Sequence, residues 1–303
     1  MKISFENTQI AFQSKSDKEL KKAYLLFKLI GSNFLVKTGK FFTNIALGIR
    51  FPINWAVKPT IYSHFVGGET IESTIPVVRN MEKYNMQAIL DYSVEGGSEE
   101  SAIQHALEET LRTVENAAKD NNVPFAVFKP TAFAAGEILE KASSDEELTE
   151  EEQIQANKFK ERIETLCKAA YDNDIPVMID AEDCAYQKFI DEVIYEMMEK
   201  YNNKKAIVYN TLQMYRWDRM EFLRDALKQA QEKDYIFGVK FVRGAYMERE
   251  RARAEKMGYK DPIQPNKEAT DRDYDEAIKF SIENIDRIWI FNATHNERSS
   301  TYM

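Results

Sequence analysis

The chain has 303 residues, 41 of them Lys or Arg against 50 Asp or Glu, for a formal net charge of −9. Its 44% hydrophobic content can fill a sizeable core and its 30% charged content suits a solvated surface. The acidic balance argues against nucleic acid, which needs a basic face, and the only cysteines, Cys167 and Cys184, lack the spacing of a disulfide framework or metal cluster.

The opening MKISFENTQIAF has neither a signal-peptide core nor an arginine-rich transit pattern, so a reducing, cytoplasmic setting is expected. No run of 18 apolar residues occurs, so no spanning helix is expected. Residues 1–80 read as a helical region punctuated by Gly31-Ser32, Gly39, Pro52, Pro59 and Gly67-Gly68. Within it, residues 33–57 are apolar with scattered cations. A packed helix is the plainer reading and contact with a membrane surface the other.

From residue 81 to 303 the rhythm changes. Short apolar runs at Gln87–Tyr92, Pro124–Lys129, Pro176–Asp180, Ala206–Leu212, Phe237–Val242 and Arg287–Asn292 alternate with charged, helix-period segments. That alternation predicts βα units on a parallel sheet. Ser98 is the expected cap of a helix burying Ile103, Leu107, Leu111 and Val114; Thr149 and Glu152 match a capping box. The run Ser143–Glu152 reads as a solvated insertion, and Asp271 or Asp273 as the cap of the helix carrying Tyr274 and Ile278. Polar residues gather at the C-terminal strand ends, as in a (β/α)₈ TIM-type barrel, although only about six strands are present. Gly96-Gly97 does not fit the phosphate turn of a doubly wound sheet.

The strand ends in order offer the chemistry. The first carries Asp91, Tyr92 and Glu95. The second carries Lys129, which could receive a carboxylate substrate, act as a Schiff-base nucleophile, or simply reach solvent. The third carries Asp180 and Glu182, expected on one side by strand alternation, with Asp183 as a helix cap. Gln213 and Tyr215 follow on the fourth. The fifth, VKFVRGAY, places Lys240 and Arg243 on one buried strand beside Gly244 and Tyr246. Unpaired charge is costly inside, so a functional reading is favoured there. Gly244 is read as allowing a ligand close to the backbone. The sixth carries Thr294, His295 and Asn296. With no partner in ligand spacing, His295 does not suggest a metal; His64 reads as packing and His105 carries no role.

SHFVGGET, ILDYSVEG, FKPTA, MIDAED, QMY, KFVRGAY, ATDRDY and ATHNERS, in that order over most of residues 60–300, resemble the proline dehydrogenase family. The resemblance implies a distorted (β/α)₈ barrel binding FAD, with L-proline oxidised to Δ1-pyrroline-5-carboxylate by hydride transfer to flavin N5. A quinone-type acceptor would then take the electrons, with the protein peripheral at the inner membrane. It implies catalytic roles for Lys129, Asp180, Lys240 and Tyr246. Cofactor contacts would come from Gln213, Lys240, Val242, Arg243, Gly244, Ala245, Tyr246, Lys267, Thr270, Thr294, His295 and Asn296. No metal is implied. Members of that family continue with two more strands and a helix carrying an Arg-Arg pair for the proline carboxylate. This sequence ends at Thr301-Tyr302-Met303, so unpaired sheet edges, poor proline binding and impaired activity are expected. Two other readings stand beside this one: a Schiff-base lyase using Lys129 with Asp180, and a non-catalytic barrel fragment.

Overall fold

The computed structural model describes residues 4–49, 51–93, 99–144 and 146–303. The chain divides into two units, Met1–Ala88 and Ile89–Met303. The expected boundary after residue 80 falls inside the helix Ile71–Glu82.

The first unit is helical, with its longest elements at Asp17–Ile30, Asn33–Gly48 and Ile71–Glu82. Ser16 and Glu19 form a capping box on the first of these, and Gly31 ends it. Gly39, expected to punctuate, lies within the helix Asn33–Gly48. One interior glycine costs about 1 kcal/mol relative to alanine, which a helix of 16 residues absorbs. Pro59 sits at the start of a π-helical turn, Lys58–Tyr62. His64 packs as expected, its ring edge-on to Phe27 and Phe65.

The second unit is an α/β array of barrel type. Its strands are β1 (Leu90–Asp91), β2 (Ala126–Phe128), β3 (Val177–Ile179), β4 (Val208–Gln213), β5 (Phe237–Val242) and β6 (Ile288–Asn292). All neighbours pair in parallel and the spatial order is the chain order, β1 to β6. Successive parallel strands joined by helices generate this order, as at the start of a (β/α)₈ barrel. The sheet is open, with β1 and β6 at its edges. Val94–Ser98, including Glu95, Gly96-Gly97 and the expected cap Ser98, lies outside the described residues; the first helix of the unit runs Glu100–Lys119.

Strand alternation gives the sheet two faces with different jobs. Ala126, Phe128, Val177, Ile179, Val208, Leu212, Phe237, Val239 and Phe241 join the large core shared with the helices. That core receives Leu107 and Val114, with Leu111 packed at its margin, and Ile103 on the same helix is buried as well. On the opposite face Val127, Met178 and Tyr209 stand side by side in register and form a smaller apolar layer. Gly238 belongs to that layer: a Cβ there would lie 2.5 Å from the Val208 carbonyl oxygen and 3.0 Å from the Tyr209 ring. Two residues further along each strand the layer turns polar.

Helix starts follow local chemistry. Thr149 and Glu152 form the expected capping box on Glu150–Asp172. Lys141 also donates to Glu152, and these hydrogen bonds, led by that from Lys141, bring its carboxyl down to about 2. The helix Lys267–Glu283 starts earlier than expected: its cap is Asn266, which accepts from Ala269 N, and neither Asp271 nor Asp273 fills that role. Asp183 occupies the N-cap position of Cys184–Tyr201 without a side-chain capping bond and pairs instead with Arg249. Cys167 is buried and Cys184 half-buried, and both are free thiols.

Candidate active site

The polar layer is a matter of register. β2, β3 and β4 align Phe128, Ile179 and Asn210, and β4 and β5 align Thr211 with Lys240. The next residue on each strand faces away from the helices, so Lys129, Asp180, Thr211 and Lys240 form one row across four strands. Gln213 and Val242, also in register, form the row above. A cleft of about 670 Å³ opens on these rows.

Charge in the row is shared by contact. Lys129 Nζ donates to Asp91 Oδ2 at 2.7 Å and lies 3.7 Å from Asp180 Oδ2. Lys240 Nζ donates to Asp180 Oδ1. Two carboxylates and two ammonium groups therefore alternate as Asp91, Lys129, Asp180, Lys240. Pairing is what lets Lys240 sit in a buried layer, where a lone charge would be expensive. An ammonium committed to two carboxylates is poorly placed to act as a free amine, which weighs against Lys129 as a Schiff-base nucleophile.

β4 presents a different feature. Thr211 and Gln213 are each 3% exposed. Gln213 Nε2 has a long contact of 3.4 Å to the Ala181 carbonyl, whereas Gln213 Oε1 and Thr211 Oγ1 have no hydrogen-bond partner among the described residues. Both side chains line the cleft. Buried polar atoms are nearly always partnered, so two such atoms at one cleft mark capacity for a ligand.

Arg243 follows the end of β5 and is fully engaged. Its Nε donates to Asp271 at 2.7 Å, one terminal nitrogen to Thr294 Oγ1 at 2.6 Å and the other to Ser299 Oγ at 3.1 Å. Its plane lies over the Tyr274 ring, 4.3 Å from the centroid. Arg243 thus braces the helix Lys267–Glu283 and the segment after β6 against the rim of the cleft. Asp271, which also receives Lys267, is the hub of this brace. Burial would raise its carboxyl, but the hydrogen bonds from Lys267 and Arg243 outweigh that and hold it below the usual carboxylate range.

Gly244 has φ +124°, and a Cβ on it would fall 2.5 Å from the Tyr215 ring. The glycine expected to admit a ligand is therefore already required by its own backbone and by Tyr215. Tyr215 does not share the cleft with Gln213. It is buried under Gly244 and borders an adjoining groove of about 780 Å³, and burial pushes its phenol upward.

Of the residues singled out in the sequence, Lys129, Asp180, Gln213, Lys240, Val242, Arg243, Gly244, Ala245, Tyr246, Lys267, Thr294, His295 and Asn296 all line the 670 Å³ cleft. Thr270 does not; it lines the adjoining groove, which shares Arg243, Gly244, Ala245, Tyr246 and Lys267 with the cleft. Tyr246 occupies the N-cap position of the helix Met247–Met257, with Arg249 over its ring. Asn296 accepts from Ser299 N as a helix cap, and Thr294 Oγ1 accepts from Asn296 N. Glu182, expected beside Asp180, is elsewhere: it is buried and accepts from Thr131 N at 2.9 Å and Thr131 Oγ1 at 2.7 Å. β3 ends at Ile179, so alternation no longer governs where Glu182 points. Thr211, Ala181 and Ala293 line the cleft without having been anticipated. Thr211 was legible, since it stands two residues before Gln213 on the same strand face.

Comparison with known proteins agrees with this architecture. A family model described as proline dehydrogenase matches residues 74–303. A carbapenem antibiotics biosynthesis protein, CarD, of Pectobacterium carotovorum is 32% identical over 239 residues, covering 79% of this chain and 62% of its own. Proline dehydrogenase 1, mitochondrial, of Dictyostelium discoideum is 27% identical over 339 residues, covering 97% of this chain and 59% of its own. This chain thus spans about three-fifths of the length of those relatives. The crystal structure of proline utilization A from Bdellovibrio bacteriovorus, inactivated by N-propargylglycine, superposes with TM-score 0.72 at 21% identity, over 98% of this chain and 32% of that one. The match of the family model over the whole βα unit carries the conclusion: the chain belongs to the proline dehydrogenase family.

Proposed function

We propose that this chain carries the flavin-binding part of an FAD-dependent proline dehydrogenase, which oxidises L-proline to Δ1-pyrroline-5-carboxylate and delivers the electrons to a quinone-type acceptor. The observation that carries the reading is the pair of buried, unpartnered acceptors on β4, Thr211 Oγ1 and Gln213 Oε1, facing a cleft floored by Lys129, Asp180 and Lys240.

These residues suit a flavin. An isoalloxazine ring is flat and largely apolar, with hydrogen-bonding atoms along its edge. Gln213 and Thr211 offer polar atoms to such an edge, and Val242 and Ala293 offer apolar contact. Lys240, held by Asp180, supplies a fixed positive charge within the cleft. Lys267 and the segment Gly244–Tyr246, shared by the cleft and the adjoining groove, would hold the extended remainder of the cofactor. When bound, FAD would accept a hydride from the ring carbon beside the proline nitrogen.

The chain's own contribution is orientation and charge. Lys129, fixed by Asp91 and Asp180 and the more exposed of the two lysines in the row, would be the cation that meets a substrate carboxylate. Asp180 binds both lysines and so sets the distance between the substrate-side and the cofactor-side charge. The apolar layer of Val127, Met178 and Tyr209 lies on the same face of the sheet, two residues before the charged row.

The test is a visible spectrum of the purified chain titrated with FAD, followed by anaerobic L-proline. Flavin that binds and bleaches supports the full reading, and flavin that binds without bleaching confines it to the cofactor site. Absence of binding, in a chain shown folded by circular dichroism, removes it. Borohydride trapping of a carbonyl compound on Lys129 would favour the lyase instead.

A further inference from the structure

We propose that Glu250 is a positioning residue for the flavin site, a buried carboxyl that caps a neighbouring helix from outside and so holds residues 244–246 where the cleft and the adjoining groove meet; this rests on the flavin reading above. Two residues of the helix Met247–Met257 exchange partners with two at the start of the helix Cys184–Tyr201. Cys184 N, the first N–H of that helix, donates to Glu250 Oε1 at 2.7 Å, and Arg249 pairs with Asp183 at 2.5 Å. Asp183 holds the N-cap position but makes no capping bond, so Glu250 supplies an acceptor from 66 residues away. The two contacts form a clasp between the segments that follow β3 and β5.

The clasp acts on the site through one turn of helix. Glu250 N donates to Tyr246 O at 2.9 Å, so fixing Glu250 fixes Tyr246 and the two residues before it. Gly244, Ala245 and Tyr246 line both cavities, whereas Glu250 lines neither and therefore acts through them. Among the other ties this helix makes, the Arg249 side chain is 59% exposed and that of Arg253, paired with Glu140, 33%. Such solvent-screened pairs are weak. Glu250 is 1% exposed, and its Oε2 has no hydrogen-bond partner among the described residues. Burying a polar atom without a partner is unfavourable for stability, so the carboxyl is better explained by where it holds the chain. Burial pushes the Cys184 thiol beside it up to about 12, which leaves the backbone N–H, rather than the sulfur, as the group that Glu250 engages.

The experiment measures FAD affinity by visible titration, and hydrogen exchange of the cofactor-free chain by mass spectrometry, for the native sequence and its variants. Glu250→Met removes the acceptor at similar side-chain length. Cys184→Pro removes the donor N–H: proline suits the first helical position, and Asp183 before it is already extended, at φ −65° and ψ 142°. Each should weaken FAD binding roughly five- to tenfold, as for the loss of about one net hydrogen bond. Each should also speed exchange across residues 244–257 while the strands keep native protection. Combined, the two should be no worse than either alone, because they break the same contact. Glu250→Gln, which keeps an acceptor, and Cys184→Ala, which keeps the N–H, should behave as the native chain. Native exchange over 244–257 in Glu250→Met and Cys184→Pro, equal loosening of the whole βα unit, or loosening by Glu250→Gln or Cys184→Ala overturns the role. If one of the first two variants does not fold, the other decides. A native chain that binds no FAD overturns the flavin reading and this role with it; native binding that the variants leave unchanged overturns the role alone.

Discussion

Two clusters of buried charge occupy the βα unit, and they are built differently. On the helix side of the sheet, Asp191 accepts from Gln187 at 2.8 Å, Asn210 at 2.9 Å and Arg219 at 3.0 Å. Arg219 continues to Asp218, which also receives Arg216. Burial would raise the Asp218 carboxyl, but the hydrogen bonds of Arg219 and Arg216 more than offset this and hold it well below the usual carboxylate range. Both oxygens of Asp191 and of Asp218 are thus supplied by protein donors, although Gln187 Oε1 and Arg216 Nη1 of the same cluster, away from the cleft, have no partner among the described residues. On the other side, the row of Lys129, Asp180 and Lys240 is also paired, yet Thr211 and Gln213 beside it keep acceptors with no partner among the described residues. Buried charge alone does not distinguish a site from a strut. Unused hydrogen-bonding capacity next to a cleft does.

The largest expected effect lies in the closed cluster. Asp191→Ala leaves Arg219 buried without one of its carboxylates and should cost about 3–5 kcal/mol of stability in denaturant unfolding. Any flavin affinity retained by the folded fraction should be unchanged; a selective loss of affinity at full stability would erase the distinction between the clusters. Next comes the rim. Gly244→Ala forces a side chain onto positive φ and into Tyr215, for a loss of about 1–3 kcal/mol, read as a lower melting temperature. Pairing it with Tyr215→Ala relieves the clash but not the dihedral, so partial recovery is expected.

The sharper test is the open cluster. Thr211→Val with Gln213→Met replaces unpartnered polar atoms by similar volumes, which should leave stability unchanged or slightly raised. Flavin affinity should fall roughly five- to tenfold, as expected for losing about one net hydrogen bond. Equal loss of stability and affinity would make these residues part of the scaffold. The smallest effect concerns the surface ion pair of Lys141 and Glu152. Because folding lowers the Glu152 carboxyl to about 2, its contribution is complete above the unfolded value of about 4.3 and fades as pH falls toward about 2. Glu152→Gln should flatten acid unfolding over that window by slightly lowering stability at neutral pH, where the contribution is complete, and leave stability below about pH 2 unchanged.

The sequence was most readable where a short period and a strand end coincide. All six strands stand where the apolar runs placed them, and Lys129, Asp180, Gln213 and Lys240 share a cleft because Lys240 faces it from within β5, Gln213 from the end of β4, and Lys129 and Asp180 from just beyond β2 and β3. Side-chain partners were not legible just past the strands. Glu182, Asp183 and Arg243 lie where alternation has lapsed, and their partners, Thr131, Arg249 and Asp271, are 51, 66 and 28 residues away. Nothing local distinguishes a carboxylate aimed at a ligand from one accepting a distant backbone N–H. The Tyr215 ring that excludes a Cβ at Gly244 likewise comes from another strand end.

By itself, then, the sequence determined the element order, the parallel sheet and the set of residues at its C-terminal edge, because hydrophobic period and turn chemistry act over a few residues. Tertiary structure decided which of those residues are consumed by one another and which retain a free atom toward the cleft. That outcome depends on strand register and on side chains meeting across tens of residues, where each buried donor and acceptor is either satisfied by the fold or left for a ligand.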